Sequence, residues 1–135
     1  MPRSKIIGTG SYLPTRVVDN SELSRSLPLD AQAIYRRTGI RARRWSAEDE
    51  TPSMLAEQAS RRALDAAGLT PSSIDAILVS TTSPDMVFPS TACHLQRALG
   101  AKGIAAFDLS ASCSGFLYGL SMADCMVGAT SPAVT

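Results

Sequence analysis

The sequence predicts an α/β fold built on a mainly parallel sheet. Two short, continuous apolar runs, at 76–82 (AILVSTT) and 104–109 (IAAFDL), have the make-up of strands covered on both faces. Helical patterns flank each run, and the alternation of strand and helix implies right-handed crossovers. Ala, Gly and Ser are plentiful while aromatic residues are only 5% of the chain, which allows helices to pack closely on a sheet.

In chain order, 5–13 (KIIGTGSYL) reads as a strand interrupted at Gly8 and Gly10 and ended by Pro14. The glycine pair is a poor phosphate loop, because no further glycine follows at dinucleotide spacing and no helix opens after it. Close backbone approach within a sheet is the better reading. Asn20 or Ser21 caps a first helix that Pro28 stops. A second helix covers 30–37, with Gly39 at its left-handed end. Residues 40–45 (IRARRW) form a short strand with a local basic cluster.

Thr51-Pro52 opens the clearest helix, with proline at the first helical position. Leu55, Ala59, Ala63 and Ala66 make its stripe, and Gly68 ends it. After a turn at 71–73 comes the strand at 76–82, then an apolar loop, 83–89 (SPDMVFP). Ser90 caps the next helix and Gly100 terminates it. The strand at 104–109 runs into small residues, and a helix then extends to near Gly128. Residues 129–135 show no element.

The 135 residues are the length of one ordinary domain. Thirteen basic and twelve acidic side chains give a net charge of +1, which argues against a nucleic-acid partner. No run reaches the ~18 apolar residues of a membrane span, and no secretory signal precedes Gly8. The three cysteines are therefore expected to be reduced thiols in a cytoplasm.

The segment at 107–120 (FDLSASCSGFLYGL) carries the chemistry. A buried strand runs into a turn of small residues, Cys113 stands at its apex, and a helix follows at once. This is the pattern of a nucleophile elbow. The helix start supplies partial positive charge and N–H groups, which suit a thiolate and an oxyanion. The alternative is a small buried cysteine packing a strand–helix joint. Cys93 and Cys125 lack this turn and read as packing residues. His94, the sole histidine, follows Cys93 on a helix, so the two side chains diverge. Without further ligands at suitable spacing they make no metal site, and His94 reads as a helix-surface residue.

GTGSYLP at 8–14, RTGIRAR at 37–43, FPSTAC at 88–93 and FDLSASCSGFLYGL at 107–120 follow one another as in β-ketoacyl-[acyl-carrier-protein] synthase III. The chain resembles that family from about residue 5 to 126. The resemblance implies a thiolase-like layered α/β/α fold, with residues 1–135 as the N-terminal part of one domain, about its first two fifths. It implies an acyltransferase that initiates fatty-acid synthesis. Acyl-CoA acylates Cys113, and malonyl-acyl-carrier protein then condenses with loss of carbon dioxide. The family's catalytic histidine and asparagine fall beyond residue 135.

The resemblance also places Arg37 at the CoA phosphates, and Phe88 in the partner's acyl pocket across a homodimer. Thr82 is a weaker candidate for the acyl channel. Each has a plainer alternative: a solvated helix-end arginine, or a loop folded onto its own core. Ala33 departs from the family's adenine-stacking tryptophan, and Tyr35 is the nearby aromatic. No cofactor and no metal are implied. Two other readings remain open: a starter condensing enzyme of secondary metabolism on the same fold, and a non-catalytic fragment or interaction module.

Overall fold

The computed structural model describes residues 4–130, which form two compact units: 13–51, and 52 onwards together with the segment before 13. In the first unit, β1 (Arg16–Asp19) pairs antiparallel with β2 (Ala42–Trp45), with Val18 opposite Arg43. Among the described residues this ribbon has no parallel partner, unlike the sheet expected from the sequence, and β1 is too short to stand out in the sequence. Val18 and Ile34, with Pro14, are buried apolar residues of the unit.

The helix expected to run from Asn20 to Pro28 is a single turn, α1 (Asn20–Leu23). Its cap is Asp19, whose carboxylate accepts the Glu22 N–H at 2.7 Å. Asn20 is not a cap. It is buried, donates to the Ile40 carbonyl at 2.8 Å, and accepts from the Arg43 guanidinium at 3.1 and 3.2 Å. A buried amide needs such partners, and they hold it inside the unit. Helix α2 (Ala31–Thr38) matches expectation, with Asp30 as N-cap, accepting the Ala33 N–H at 2.6 Å, and Gly39 at φ 71° as C-cap. Asp30→Ala is expected to lower the stability of this exposed cap by about 1 kcal/mol, read from denaturant midpoints.

In the second unit, α3 (Pro52–Ala67) and a 3-10 turn (Pro71–Ser73) lead to β3 (Ala76–Ser80). Then follow α4 (Thr91–Leu99), β4 (Ala105–Leu109) and α5 (Gly115–Thr130). β3 and β4 are parallel, with Leu78 opposite Phe107. Ile77 forms the core with Ala92, Leu95 and Leu99 of α4, and Val79 packs against it. Leu78 and Ser80 instead border a cavity shared with α5. Successive strand residues face opposite sides, so α4 and α5 cover opposite faces. This gives the α/β/α layering.

The expected strand at 5–13 does not form. The segment lies along α3, and a Cβ at Gly8 or Gly10 would collide with the Ala63 or Ala59 carbonyl respectively. The glycines do serve close approach, but to a helix. Arg62 fastens the segment by donating to the Ser11 carbonyl at 2.6 Å and stacking on Tyr12. Residues 131–135, expected to carry no element, lie outside the described residues.

Candidate active site

β4 passes into a 3-10 turn, Ser112–Ser114, and α5 begins at the next residue. The Ser114 N–H donates to the Ala111 carbonyl at 3.0 Å, closing the turn. Cys113 therefore stands between a strand end and the first turn of a 16-residue helix, and it is exposed.

Two neighbours shape the bend. Ser112 has φ 45°, a left-handed conformation that costs a non-glycine residue about 1–2 kcal/mol. Gly115 is buried with its Cα against Ser80, and a Cβ there would collide with the Ser80 hydroxyl. A side chain here would make the Ser80 hydroxyl turn away and would still lie tightly on the Ser80 Cβ, at 3.0 Å. The sequence offered the small residues, but neither the positive φ nor the Ser80 contact was legible.

A cavity of about 610 Å³ opens beside the thiol. Ser80, Ser112 and Cys113 supply its polar wall, and Leu78, Leu109 and Phe116 its apolar one. Such a cavity can take an apolar group attached to the sulfur. Ser80 was missed in the sequence, where it is the first of four consecutive hydroxyl residues, 80–83, that follow the apolar run AILV.

Thr82 lies two residues beyond β3, which ends at Ser80 rather than at residue 82. It is exposed, and it is not among the residues bordering this cavity. The loop at 83–89 is anchored at its base by Asp85. Asp85 Oδ1 accepts the Ser53 hydroxyl at 2.8 Å and the Ser53 N–H at 3.2 Å. Its tip does not fold onto the chain's own core, for Val87 is 98% and Phe88 86% exposed.

Arg37 lies in the unit 13–51, exposed in the last turn of α2 beside Arg36. Basic residues there also complement the helix dipole. Ala33 is half-buried. The Tyr35 ring carries the Arg41 guanidinium 4.9 Å from its centroid, and both border a cavity of about 450 Å³ with Ser21 and Gln32.

Cys93 packs as expected, its sulfur accepting from the Ser90 hydroxyl at 3.2 Å and lying 3.6 Å from the Ala106 carbonyl. Cys125 is exposed on α5, a helix apolar on most sides and only partly covered by β3 and β4. His94 is half-buried, with its Nε2 shielded and lacking a hydrogen-bond partner among the described residues, so it is not the surface residue expected. Among the described residues no cluster of three potential metal ligands occurs, and no helix is long and apolar enough to cross a membrane.

No family model matches the chain. It is 52% identical over 126 residues to the β-ketoacyl-[acyl-carrier-protein] synthase III of Methylococcus capsulatus, covering 93% of this chain and 39% of that protein. Against the Alkalilimnicola ehrlichii enzyme of the same name, identity is 55% over 125 residues, covering 92% and 39%. The crystal structure of 3-oxoacyl-[acyl-carrier-protein] synthase III from Aquifex aeolicus superposes with a TM-score of 0.88 at 46% identity, covering 93% of this chain and 40% of that one. The priming β-ketosynthase of the R1128 polyketide pathway gives 0.87 at 41%, covering 91% and 37%.

The layered sheet, with a cysteine elbow between β4 and α5, places the chain among thiolase-fold condensing enzymes. The sequence relatives narrow this class. The chain belongs to the β-ketoacyl-[acyl-carrier-protein] synthase III family as its N-terminal part, spanning about two fifths of the length of the curated relatives it matches.

Proposed function

We propose that the whole protein is the initiating condensing enzyme of fatty-acid synthesis, and that Cys113 is its nucleophile. The observation that carries this reading is the exposed thiol at the start of α5, beside a partly apolar cavity. The Cys113 thiolate attacks the thioester carbonyl of acyl-CoA. N–H groups at the turn, Cys113's own among them, receive the oxyanion. The CoA thiolate leaves, and the acyl group remains on Cys113 as a thioester. Malonyl-acyl-carrier protein then loses carbon dioxide, and the electron pair of the broken C–C bond becomes a carbanion. The carbanion attacks the acyl carbonyl, and the Cys113 thiolate departs.

Residues 1–135 supply the first part of one thiolase-like domain in this scheme, and the remaining length of the parent supplies the groups that stabilise the carbanion. The protein works in the cytoplasm as a homodimer, without cofactor or metal and without nucleic-acid or membrane partners. Phe88 reaches into the partner's acyl pocket, for which its 86% exposure on an anchored loop is suited. Thr82, exposed beyond the end of β3 and not bordering the cavity beside Cys113, is given no part in holding the acyl group. Arg37 holds CoA phosphates, a charge-assisted contact. Arg37→Ala is expected to raise KM for acyl-CoA roughly tenfold with kcat little changed, measured as initial rates of transacylation.

The function is tested with the 135-residue chain. It takes an acyl group but stalls, so no carbon dioxide is released from malonyl-acyl-carrier protein. Sustained release by this chain would contradict the placing of the carbanion-stabilising groups beyond residue 135, whereas absence of release from the full-length protein would contradict the condensing-enzyme reading itself. A second reading, a starter condensing enzyme of secondary metabolism, is favoured by Ala33 and by the similarity to the R1128 ketosynthase. Profiling of acyl-CoA donors by intact mass separates the two. Acetyl alone on Cys113 supports the fatty-acid reading, and preference for a longer or branched donor supports the other.

A further inference from the structure

Asp108 is the acidic residue in the apolar strand β4. Helix α4 already has a cap of its own: Ser90 Oγ accepts the Cys93 N–H, and the Ser90 carbonyl accepts from Cys93 and His94. A helix leaves its first four N–H groups without intrahelical partners. The two that remain, of Thr91 and Ala92, donate to Asp108 Oδ2 and Oδ1, each at 2.8 Å. The second cap of α4 therefore comes from a strand, and it fixes that strand to the helix. Thr91 is fully buried, and its Oγ1 accepts the Asp85 N–H at 3.3 Å. Asp85 in turn holds Ser53. One hydrogen-bonded path thus joins β4, the start of α4, the loop at 83–89 and the start of α3.

We propose that Asp108 is a positioning residue for Cys113. It pins β4 to α4 and so fixes the strand end from which the elbow turns, and through Thr91 and Asp85 it keeps the Phe88 loop in the same register. The Thr81 N–H donates to the Leu109 carbonyl at 3.2 Å, one residue past Asp108. Beyond that bond only residues 110–112 separate the pinned strand from the thiol, and Ser112 already sits at φ 45°. Little chain is left to absorb a shift of Asp108. The proposal rests on the reading of Cys113 as nucleophile.

Asp108→Asn and Thr91→Val test it in the intact protein. Asp108→Asn preserves shape but presents an NH2 group to one of the two helix N–H groups. It is expected to slow native-state alkylation of Cys113 by iodoacetamide about fivefold, and to lower kcat of transacylation similarly while KM for acyl-CoA stays within about twofold. Thr91→Val keeps the Thr91 N–H on Asp108 and removes only the hydroxyl. It is expected to speed amide exchange in the loop at 83–89 and to leave alkylation unchanged. Alkylation of Asp108→Asn at or above the unsubstituted rate overturns the proposal, as does slowing by Thr91→Val of equal size. If Asp108→Asn does not fold, the unsubstituted protein decides. Carbamidomethylation of Cys113 is expected to alter exchange of the Thr91 and Ala92 amides severalfold, and unaltered exchange overturns the proposal. Alkylation involves no acyl-CoA, so an unsubstituted protein that alkylates but never acylates counts against the nucleophile reading alone.

Discussion

Cys113→Ser is expected to abolish acylation of the protein by acyl-CoA, with transacylation falling at least ~10³-fold. A serine hydroxyl is almost wholly un-ionised near neutral pH and a weak nucleophile without an adjacent base. Cys93 cannot substitute, because its sulfur is turned inward between the Ser90 hydroxyl and the Ala106 carbonyl. Cys125 is exposed but lies within a helix rather than at a turn. Intact mass after incubation with acyl-CoA checks the prediction. A label of equal extent on Cys113→Ser would point to another group.

Gly115→Ala is expected to have the next largest effect. Glycine to alanine inside a helix ordinarily stabilises by up to about 1 kcal/mol. Here the added methyl collides with the Ser80 hydroxyl and lies 3.0 Å from the Ser80 Cβ. Over-packing of that kind costs about 1–3 kcal/mol, so a net loss of stability is expected where propensity alone forecasts a gain. If α5 moves to relieve the contact, Cys113 moves with it. A displacement near 1 Å can cost about a hundredfold in rate. Ser80→Gly removes both contacting atoms and should recover part of the loss, giving a coupling of about 1 kcal/mol or more in a double-mutant cycle. Denaturant melts and transacylation rates of the four proteins measure it. Additive effects would show that the two residues do not press on each other.

Much of the second unit was legible because its signals are local. Ser90 and Gly100 bound α4, Gly68 follows α3, and apolar runs mark β3 and β4, all within two residues of the observed ends. Pairing of β1 with β2 was not legible: RVVD and ARRW are short and mostly exposed, and the bonds of Asn20 to Ala31, Ile40 and Arg43 that accompany the pairing link residues distant in the chain. The segment at 5–13 has strand composition, but Gly8 and Gly10 give it a fit to α3 that no periodicity reveals. At the site, the run of small residues disclosed the elbow and its cysteine. The residues that hold the elbow, Ser80 and Asp108, reach it through contacts between elements distant in the chain.

The central claim is that the thiol at the start of α5 carries the acyl group. Peptide mapping of the protein after brief exposure to acetyl-CoA tests it most directly. A single hydroxylamine-labile acetyl group on the peptide containing Cys113 is the predicted result. Acetyl on the Cys93 or Cys125 peptide, with Cys113 left free, would contradict it.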